Sequence, residues 1–198
     1  MKLGIYGGTF SPPHIGHVNS AKAFCEQLKL DSLLIIPTNL PPHKEVLEEA
    51  SARDRLKMCE IAFSGIDMAT VSDMEISRGG KSYTYLTLEE LSGRGDELFF
   101  LCGTDMILTF DKWRNFEKIF SLATICYARR ECDKACDEQI ECKVREYREK
   151  YGAKVIKIEH EVTEISSTEI RDAIKNGLGN RFIDESTLEY IRLRGLYR

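Results

Sequence analysis

An apolar run at residues 3–6 leads straight into Gly7-Gly8-Thr9-Phe10-Ser11-Pro12-Pro13-His14-Ile15-Gly16-His17. The order reads as a strand, a glycine turn and a helix start, so the chain opens with a β-to-α unit. Glycine lets the backbone approach a ligand closely, and the amides at the start of the following helix can accept an anion. His14 and His17 stand three residues apart. With the helix begun, that spacing sets both imidazoles on one face, pointing back toward the same phosphate region. The string lacks the third glycine of the dinucleotide fingerprint and the Gly-Lys-Ser/Thr that closes a P-loop, which leaves histidine as the donor to phosphate. Nor does HxxH alone make a zinc site, because the further ligands of a closed site are missing.

Apolar runs at 3–6, 33–36, 98–102, 123–128 and 154–158 alternate with longer segments of helical periodicity. That rhythm predicts an α/β fold with a mostly parallel sheet. Residues 18–29 and 51–63 read as the first two covering helices, and 82–92 as another that begins at Ser82. Segment 67–76, with Val71 and Ile76 among charged residues, predicts a further strand near the sheet edge. A chain of 198 residues, 42% hydrophobic, suits one domain over 1–198, with 165–198 as its C-terminal helical part. Twenty-eight basic against 32 acidic residues give a net charge of -4, which argues against a general nucleic-acid or membrane surface. Any attraction for phosphate is therefore local. The absence of a leader-like start and of a bilayer-spanning run predicts a cytoplasmic protein. Seven cysteines cannot all pair, so reduced thiols are expected, and Cys132, Cys136 and Cys142 lack both CxxC spacing and a neighbouring histidine.

Four further segments carry chemistry. Pro41-Pro42-His43-Lys44 is stiff and polar, offering Lys44 as a point charge and His43 as a donor, against the plain alternative of an exposed loop. Gly103-Thr104-Asp105 follows the apolar run at 98–102 and sets Asp105 at a strand's carboxyl end, as a helix cap or a nucleotide contact. Tyr83, Thr84 and Tyr85 follow a glycine loop, and Trp113 is the single tryptophan. Packing explains Tyr85 best, whereas Trp113 reads as a stacking surface or a half-buried anchor. Ser166 to Arg171 reads as a capped helix start in which Arg171, one turn after Ser167, reaches the N-terminal anion site with a fork suited to phosphate.

In order along most of the chain, GGTFSPPHIGH at 7–17, IPTNLPPHK at 36–44, SYTYLTL at 82–88, GTD at 103–105, KWRNFEKI at 112–119 and ISSTEIR at 165–171 carry a resemblance. The chain resembles the nucleotidyltransferases with a GTF-x-PxH-x-GH signature and, within them, the bacterial nicotinate mononucleotide adenylyltransferases. This resemblance implies a Rossmann-like nucleotidyltransferase fold, with helices flanking the sheet and a small C-terminal helical region. It implies that the AMP of ATP passes to the phosphate of nicotinate mononucleotide by direct in-line attack, releasing pyrophosphate. On it, His14, His17, Lys44 and Arg171 are catalytic, and Gly7, Gly8, Thr9, Phe10, His43, Gly103, Asp105, Ile165, Ser167 and Thr168 join them on ATP. Tyr83, Thr84, Thr104 and Trp113 would hold nicotinate mononucleotide. Magnesium is expected with ATP, no metal ligand is assigned directly, and a homo-oligomer is compatible with the pattern. Ser11 departs from the family, which more often has Asp there; serine keeps the turn while one negative charge near the phosphates is lost. Pantetheine-phosphate adenylyltransferases and cytidylyltransferases would share the first motif, and the acceptor half, PPHK, SYTYLTL and KWRNFEKI, argues against them. A non-catalytic nucleotide-binding module is the alternative of another class, opposed by both histidines and Arg171.

Overall fold

A computed structural model describes residues 1–42, 49–93, 96–129, 135–178 and 181–198, with Ala135 and Cys136 described in backbone only. The strands are β1 (Lys2–Gly8), β2 (Ser32–Pro37), β3 (Ala69–Val71), β4 (Glu97–Gly103), β5 (Ala123–Ala128) and β6 (Val155–Ile158). They form one sheet in the order β3-β2-β1-β4-β5-β6, and each neighbouring pair is parallel. The chain runs outward from β1 through β2 to β3, then returns to the other side of β1 for β4 to β6. In such sheets the crevice for ligands opens beyond the carboxyl ends of the strands where the direction of winding reverses. Here that place lies between β1 and β4.

Registered neighbours show why these strands are apolar on both faces. Ile5, Phe100 and Ile125 lie side by side across β1, β4 and β5 and point into one buried cluster; Tyr6, Leu101 and Cys126, one residue on, point into the other. Helices cover both faces, so the alternation of a half-exposed strand is absent. The short β3 lies at the sheet edge, where segment 67–76 was expected to add a strand. Its second half differs from that expectation: Ile76 belongs to a helix, because the Ser77 amide and hydroxyl both bond back to Asp73, to its carbonyl and carboxylate, at 2.7 Å.

The helices are α1 (Ile15–Leu28), α2 (Ala52–Ala62), α3 (Met74–Arg78), α4 (Thr84–Ser92), α5 (Thr104–Ile107), α6 (Phe116–Leu122), α7 (Ala135–Tyr151), α8 (Ser167–Lys175) and α9 (Glu185–Arg194). Helix α1 starts three residues before the predicted 18 and α4 two residues after the predicted 82. Ser82 is engaged elsewhere: its amide donates to the Leu40 carbonyl and its hydroxyl accepts from the Asn39 amide, tying the glycine loop to the segment after β2. Capping boxes set the starts of α2, between Ser51 and Asp54, and of α8, between Ser166 and Glu169. Among the described residues no helix is long and apolar enough to cross a membrane.

The C-terminal helices pack on α2 through a third apolar cluster that includes Met58, Ile170, Leu188, Ile191 and Tyr197. Asp54 fastens the same junction, accepting from Tyr190 Oη at 2.9 Å and Arg194 Nε at 3.2 Å while Ser51 Oγ donates at 2.6 Å. Burial alone would raise the Asp54 carboxyl, but hydrogen bonds from Ser51, Tyr190 and Arg194, with the charge of Arg194, together hold it below the usual range. The lowered folded value makes its stabilisation complete above the unfolded pKa and lost as pH falls through the folded one. Asp54→Asn is therefore expected to cost about 2 kcal/mol at neutral pH. In urea unfolding across pH, the gap from the unmodified protein should close below the ordinary carboxylate range.

Candidate active site

Gly7 and Gly8 end β1, and the chain then turns through Thr9, Phe10 and Ser11 toward α1. Phe10 takes a left-handed φ of 48° and buries its ring edge-on to Tyr6 and Phe63, at centroid distances of 5.3 and 5.7 Å. A Cβ on residue 8 would stand 3.0 Å from that ring, so glycine lets the phenyl fold under the turn. What Phe10 can offer a ligand is thus its backbone.

His14 is the residue that precedes α1, and His17 occupies the first turn; both are 7% exposed. Their rings lie together, with centroids 3.7 Å apart, and a Cβ on Gly16 would come within 3.1 Å of the His14 ring. The His14 amide donates to His17 Nδ1 at 3.2 Å. A nitrogen that accepts carries no proton, so neutral His17 holds its proton on Nε2 and presents that nitrogen as a donor.

Helix α8 closes on the turn from the other side. Arg171 Nη1 donates to the Ser11 carbonyl at 2.8 Å and Nη2 to Thr168 Oγ1 at 3.1 Å, while Ser167 Oγ donates to the Pro12 carbonyl at 3.0 Å. Arg171 Nε lies 3.3 Å from Glu49 Oε2, so its fork is engaged by protein groups beside the turn. Ile165 packs with the third apolar cluster and Thr168 is exposed. His43 and Lys44 lie outside the described residues.

A cavity of about 370 Å³ shares the wall formed by Gly7, Gly8 and Thr9. Its lining includes the apolar Ile5, Ile36, Leu88 and Phe100 together with Tyr83, Thr84, Asp105, Lys112, Trp113 and Arg114. The indole of Trp113 stacks on Phe110 at 4.6 Å and 11°, and the Arg114 guanidinium lies 4.9 Å from the Tyr83 centroid. Tyr85 packs against the core, as predicted. Gly103 is buried ahead of α5, Thr104 heads that helix without lining the cavity, and Asp105 is exposed at the cavity mouth. The turn, both histidines, Arg171, Thr84 and Trp113 are thus gathered at the carboxyl ends of the strands.

Two residues of the site escaped the sequence reading. Arg55 is 1% exposed and donates from Nη1 to the Thr9 carbonyl at 2.9 Å and from Nη2 to the Asn39 carbonyl at 3.0 Å. Its position three and four residues before the buried Met58 and Cys59 was the available signal, a cation on the apolar face of α2. Glu75, 6% exposed, lines the cavity from α3, and nothing local in the sequence separates it from its exposed acidic neighbours. Among the described residues no group of three or more His, Cys, Asp or Glu side chains could hold a metal. Burial pushes the Cys25 and Cys126 thiols up to about 11 and about 12, while Cys142 is exposed and unpaired. Cys132 lies outside the described residues.

Residues 5–173 match a family described as cytidylyltransferase-like. The chain is 40% identical, over 215 aligned positions covering all of both chains, to a probable nicotinate-nucleotide adenylyltransferase of Desulfatibacillum aliphaticivorans. It is 38% identical over 180 residues, 89% of each chain, to a protein of the same description from Fusobacterium nucleatum. Plasmodium falciparum nicotinic acid mononucleotide adenylyltransferase complexed with NaAD shares the fold at a TM-score of 0.76. That alignment covers 99% of this chain and 97% of the other at 21% identity.

Arg55 joins the turn after β1 to the segment after β2, and removing it leaves two carbonyls short of a donor. Arg55→Met is expected to cost about 3 kcal/mol in denaturant unfolding. Amide exchange should also quicken at Thr9, Phe10 and Asn39 while the centre of β4 stays protected. Uniform exchange across the sheet would show that Arg55 serves stability alone.

Proposed function

The chain belongs to the nicotinate-nucleotide adenylyltransferase family of the HxGH nucleotidyltransferases, and from that premise we propose that it transfers the AMP of ATP to the phosphate of nicotinate mononucleotide. The observation that carries the reading is the shared wall. Gly7, Gly8 and Thr9 lead into the histidine pair on one side and line the Trp113 cavity on the other. A nucleotide on the turn and a mononucleotide in the cavity would meet there.

The attacking group is a phosphate monoester, largely ionised near neutral pH because its second pKa is roughly 6. No general base is needed. One oxygen of that phosphate attacks the α-phosphorus in line, the bond to the bridging oxygen breaks, and the electron pair departs on pyrophosphate without a covalent enzyme intermediate. The protein's contribution is alignment and placement of donors where negative charge moves. His17 Nε2, His14 and the amides around Gly8 and Thr9 suit the α-phosphate, while Ser167, Thr168 and Arg171 suit the triphosphate's far end. For Arg171 this requires partial exchange of Glu49 for phosphate oxygen. His43 and Lys44 are assigned to the same phosphates on the motif alone.

Magnesium fits as an ion carried by ATP. Asp105 is a single carboxylate at the cavity mouth, a donor set that suits an ion keeping its waters and phosphate ligands rather than a protein cage. When bound, the ion neutralises charge on the phosphates. Trp113 would cover the pyridine ring and Thr84, with nearby amides, would meet its carboxylate. Work in the cytoplasm, as a single nucleotidyltransferase domain with 165–198 as its helical part, completes the proposal.

His17→Ala is expected to lose about 3 kcal/mol of transition-state stabilisation with little change in unfolding, since its donor acts on charge that develops during transfer. Near-normal turnover by a folded variant would remove His17 from the mechanism. The decisive assay supplies ATP or CTP with nicotinate mononucleotide, its nicotinamide counterpart or phosphopantetheine and measures pyrophosphate and dinucleotide. The expected result is the highest kcat/KM with ATP and the nicotinate form, because an uncharged amide leaves the carboxylate's donors poorly matched. Turnover only with phosphopantetheine or CTP would overturn the proposal.

A further inference from the structure

The cavity contains a polar feature that adenylyl transfer as described does not use. Glu75 Oε1 accepts the Thr87 hydroxyl at 2.6 Å, and Thr87 Oγ1 in turn accepts from Arg78 Nη1 at 3.1 Å. Arg78 spends its other nitrogen on Glu90 at 2.7 Å. The second carboxyl oxygen, Oε2, is buried without a hydrogen-bond partner among the described residues, as is Thr38 Oγ1, and both residues line the cavity. The Ser82 hydroxyl lies close enough to favour the carboxylate, short of a formed bond to Oε2. Among the described residues no other buried charged side chain lines this cavity: Asp105, Lys112 and Arg114 are exposed, and β1, β2 and the residue after β2 contribute glycines, apolar side chains and Thr38.

A buried carboxyl with an idle oxygen is costly unless a partner arrives. The acceptor's own chemistry supplies one. A pyridine joined to ribose through its ring nitrogen is a pyridinium, positively charged at every pH, whereas its phosphate and ring carboxylate are anions that Glu75 would repel. Ribose hydroxyls are neutral and weaker partners. We infer that Glu75 is the counter-charge for the acceptor's pyridinium ring, an assignment that rests on the cavity being the mononucleotide site. Trp113 supplies the stacking face, to which a cationic ring adds cation–π attraction, and Glu75 supplies a full charge in a medium where charge is weakly screened.

Burial raises the Glu75 carboxyl above its ordinary range, with the Thr87 and Ser82 hydrogen bonds and the Arg78 charge pulling the other way. A bound cation favours the ionised form, so binding is tied to proton release and weakens as pH falls through that raised range.

Titration calorimetry with nicotinamide mononucleotide and its reduced dihydropyridine form isolates the ring charge, because the two carry the same phosphate, ribose and amide. Glu75→Gln should weaken the oxidised form about tenfold, the worth of one pK unit of differential interaction, and the reduced form less than about twofold. With nicotinate mononucleotide, the gap between the unmodified protein and the variant should narrow as pH falls, the phosphate's own titration being common to both. Equal losses for the two ring states, or no loss, would overturn the assignment. Should the variant not fold, the unmodified protein suffices: its oxidised-to-reduced affinity ratio must rise with pH, and a flat ratio refutes Glu75. If the unmodified protein binds no pyridine mononucleotide, the reading of the cavity falls and this inference with it; adenylyl transfer with equal ring-state losses would sink Glu75 alone.

Discussion

The turn after β1 must stay open to a ligand while its backbone polar groups are satisfied, and the solution organises much of the molecule. Four of its carbonyls are taken by protein donors: Gly8 by the Thr38 amide, Thr9 by Arg55, Ser11 by Arg171 and Pro12 by Ser167. Those donors come from β2's end, α2 and α8, so distant parts of the chain converge on five residues. A phosphate approaching such a turn is repelled by carbonyl oxygens and attracted by amides. Occupying the carbonyls from behind leaves the amide side as the useful one.

That arrangement explains why the C-terminal helices are built onto α2. Asp54, with Tyr190 and Arg194, fixes α9 against the helix that carries Arg55, and α8 brings Ser167 and Arg171 to the same turn. Ser11 fits this scheme. Its hydroxyl shares a hydrogen bond of 2.9 Å with Tyr197, a phenol whose pKa burial pushes up to about 12. The bond is therefore neutral to neutral, and Ser11 adds no charge where negatively charged ligands would come.

How legible this was follows from whether the signal was local. The apolar runs became strands because parallel strands covered on both faces must be continuously apolar, and β5, buried at all six positions, shows this plainly. The histidine pair was legible because glycine, proline and histidine at fixed spacing carry conformation and chemistry together. Helix starts were displaced by two or three residues where tertiary bonds decided, as with Ser82, whose partners Asn39 and Leu40 are about forty positions away. Trp113 could be flagged but its stacking on Phe110 could not, since it depends on a short helical turn within a mixed polar segment. Arg55 and Glu75 were hidden for a common reason. Each is a charged residue on a helix, which in isolation reads as solvent-facing; the spacing of Arg55 to Met58 and Cys59 was the one local hint, and the packing of α3 alone shows Glu75 to be buried.

Those two buried charges face opposite tasks. The donors around the turn suit anions, and the negative net charge of the chain places no general attraction behind them, so attraction for phosphate would be local to the turn and the helix α8 residues beside it. With Glu75 as counter-charge, the neighbouring cavity would hold one buried negative charge among apolar side chains, its other charged lining residues, Asp105, Lys112 and Arg114, being exposed. A pyridine mononucleotide carries its cation on the ring nitrogen and an anion at the phosphate, with a further carboxylate on the ring of the nicotinate form, so an orientation that sets the ring nitrogen toward Glu75 and both anions away from it would match. Reversed, its phosphate would meet a buried carboxylate. At an effective dielectric near 20, like charges about 4 Å apart repel by about 4 kcal/mol, close to a thousandfold in affinity. Stacking on Trp113 accepts either direction and area burial is nearly indifferent to it. On the proposed assignments, the separation of charge along the site would therefore set which end of the acceptor faces the α-phosphorus.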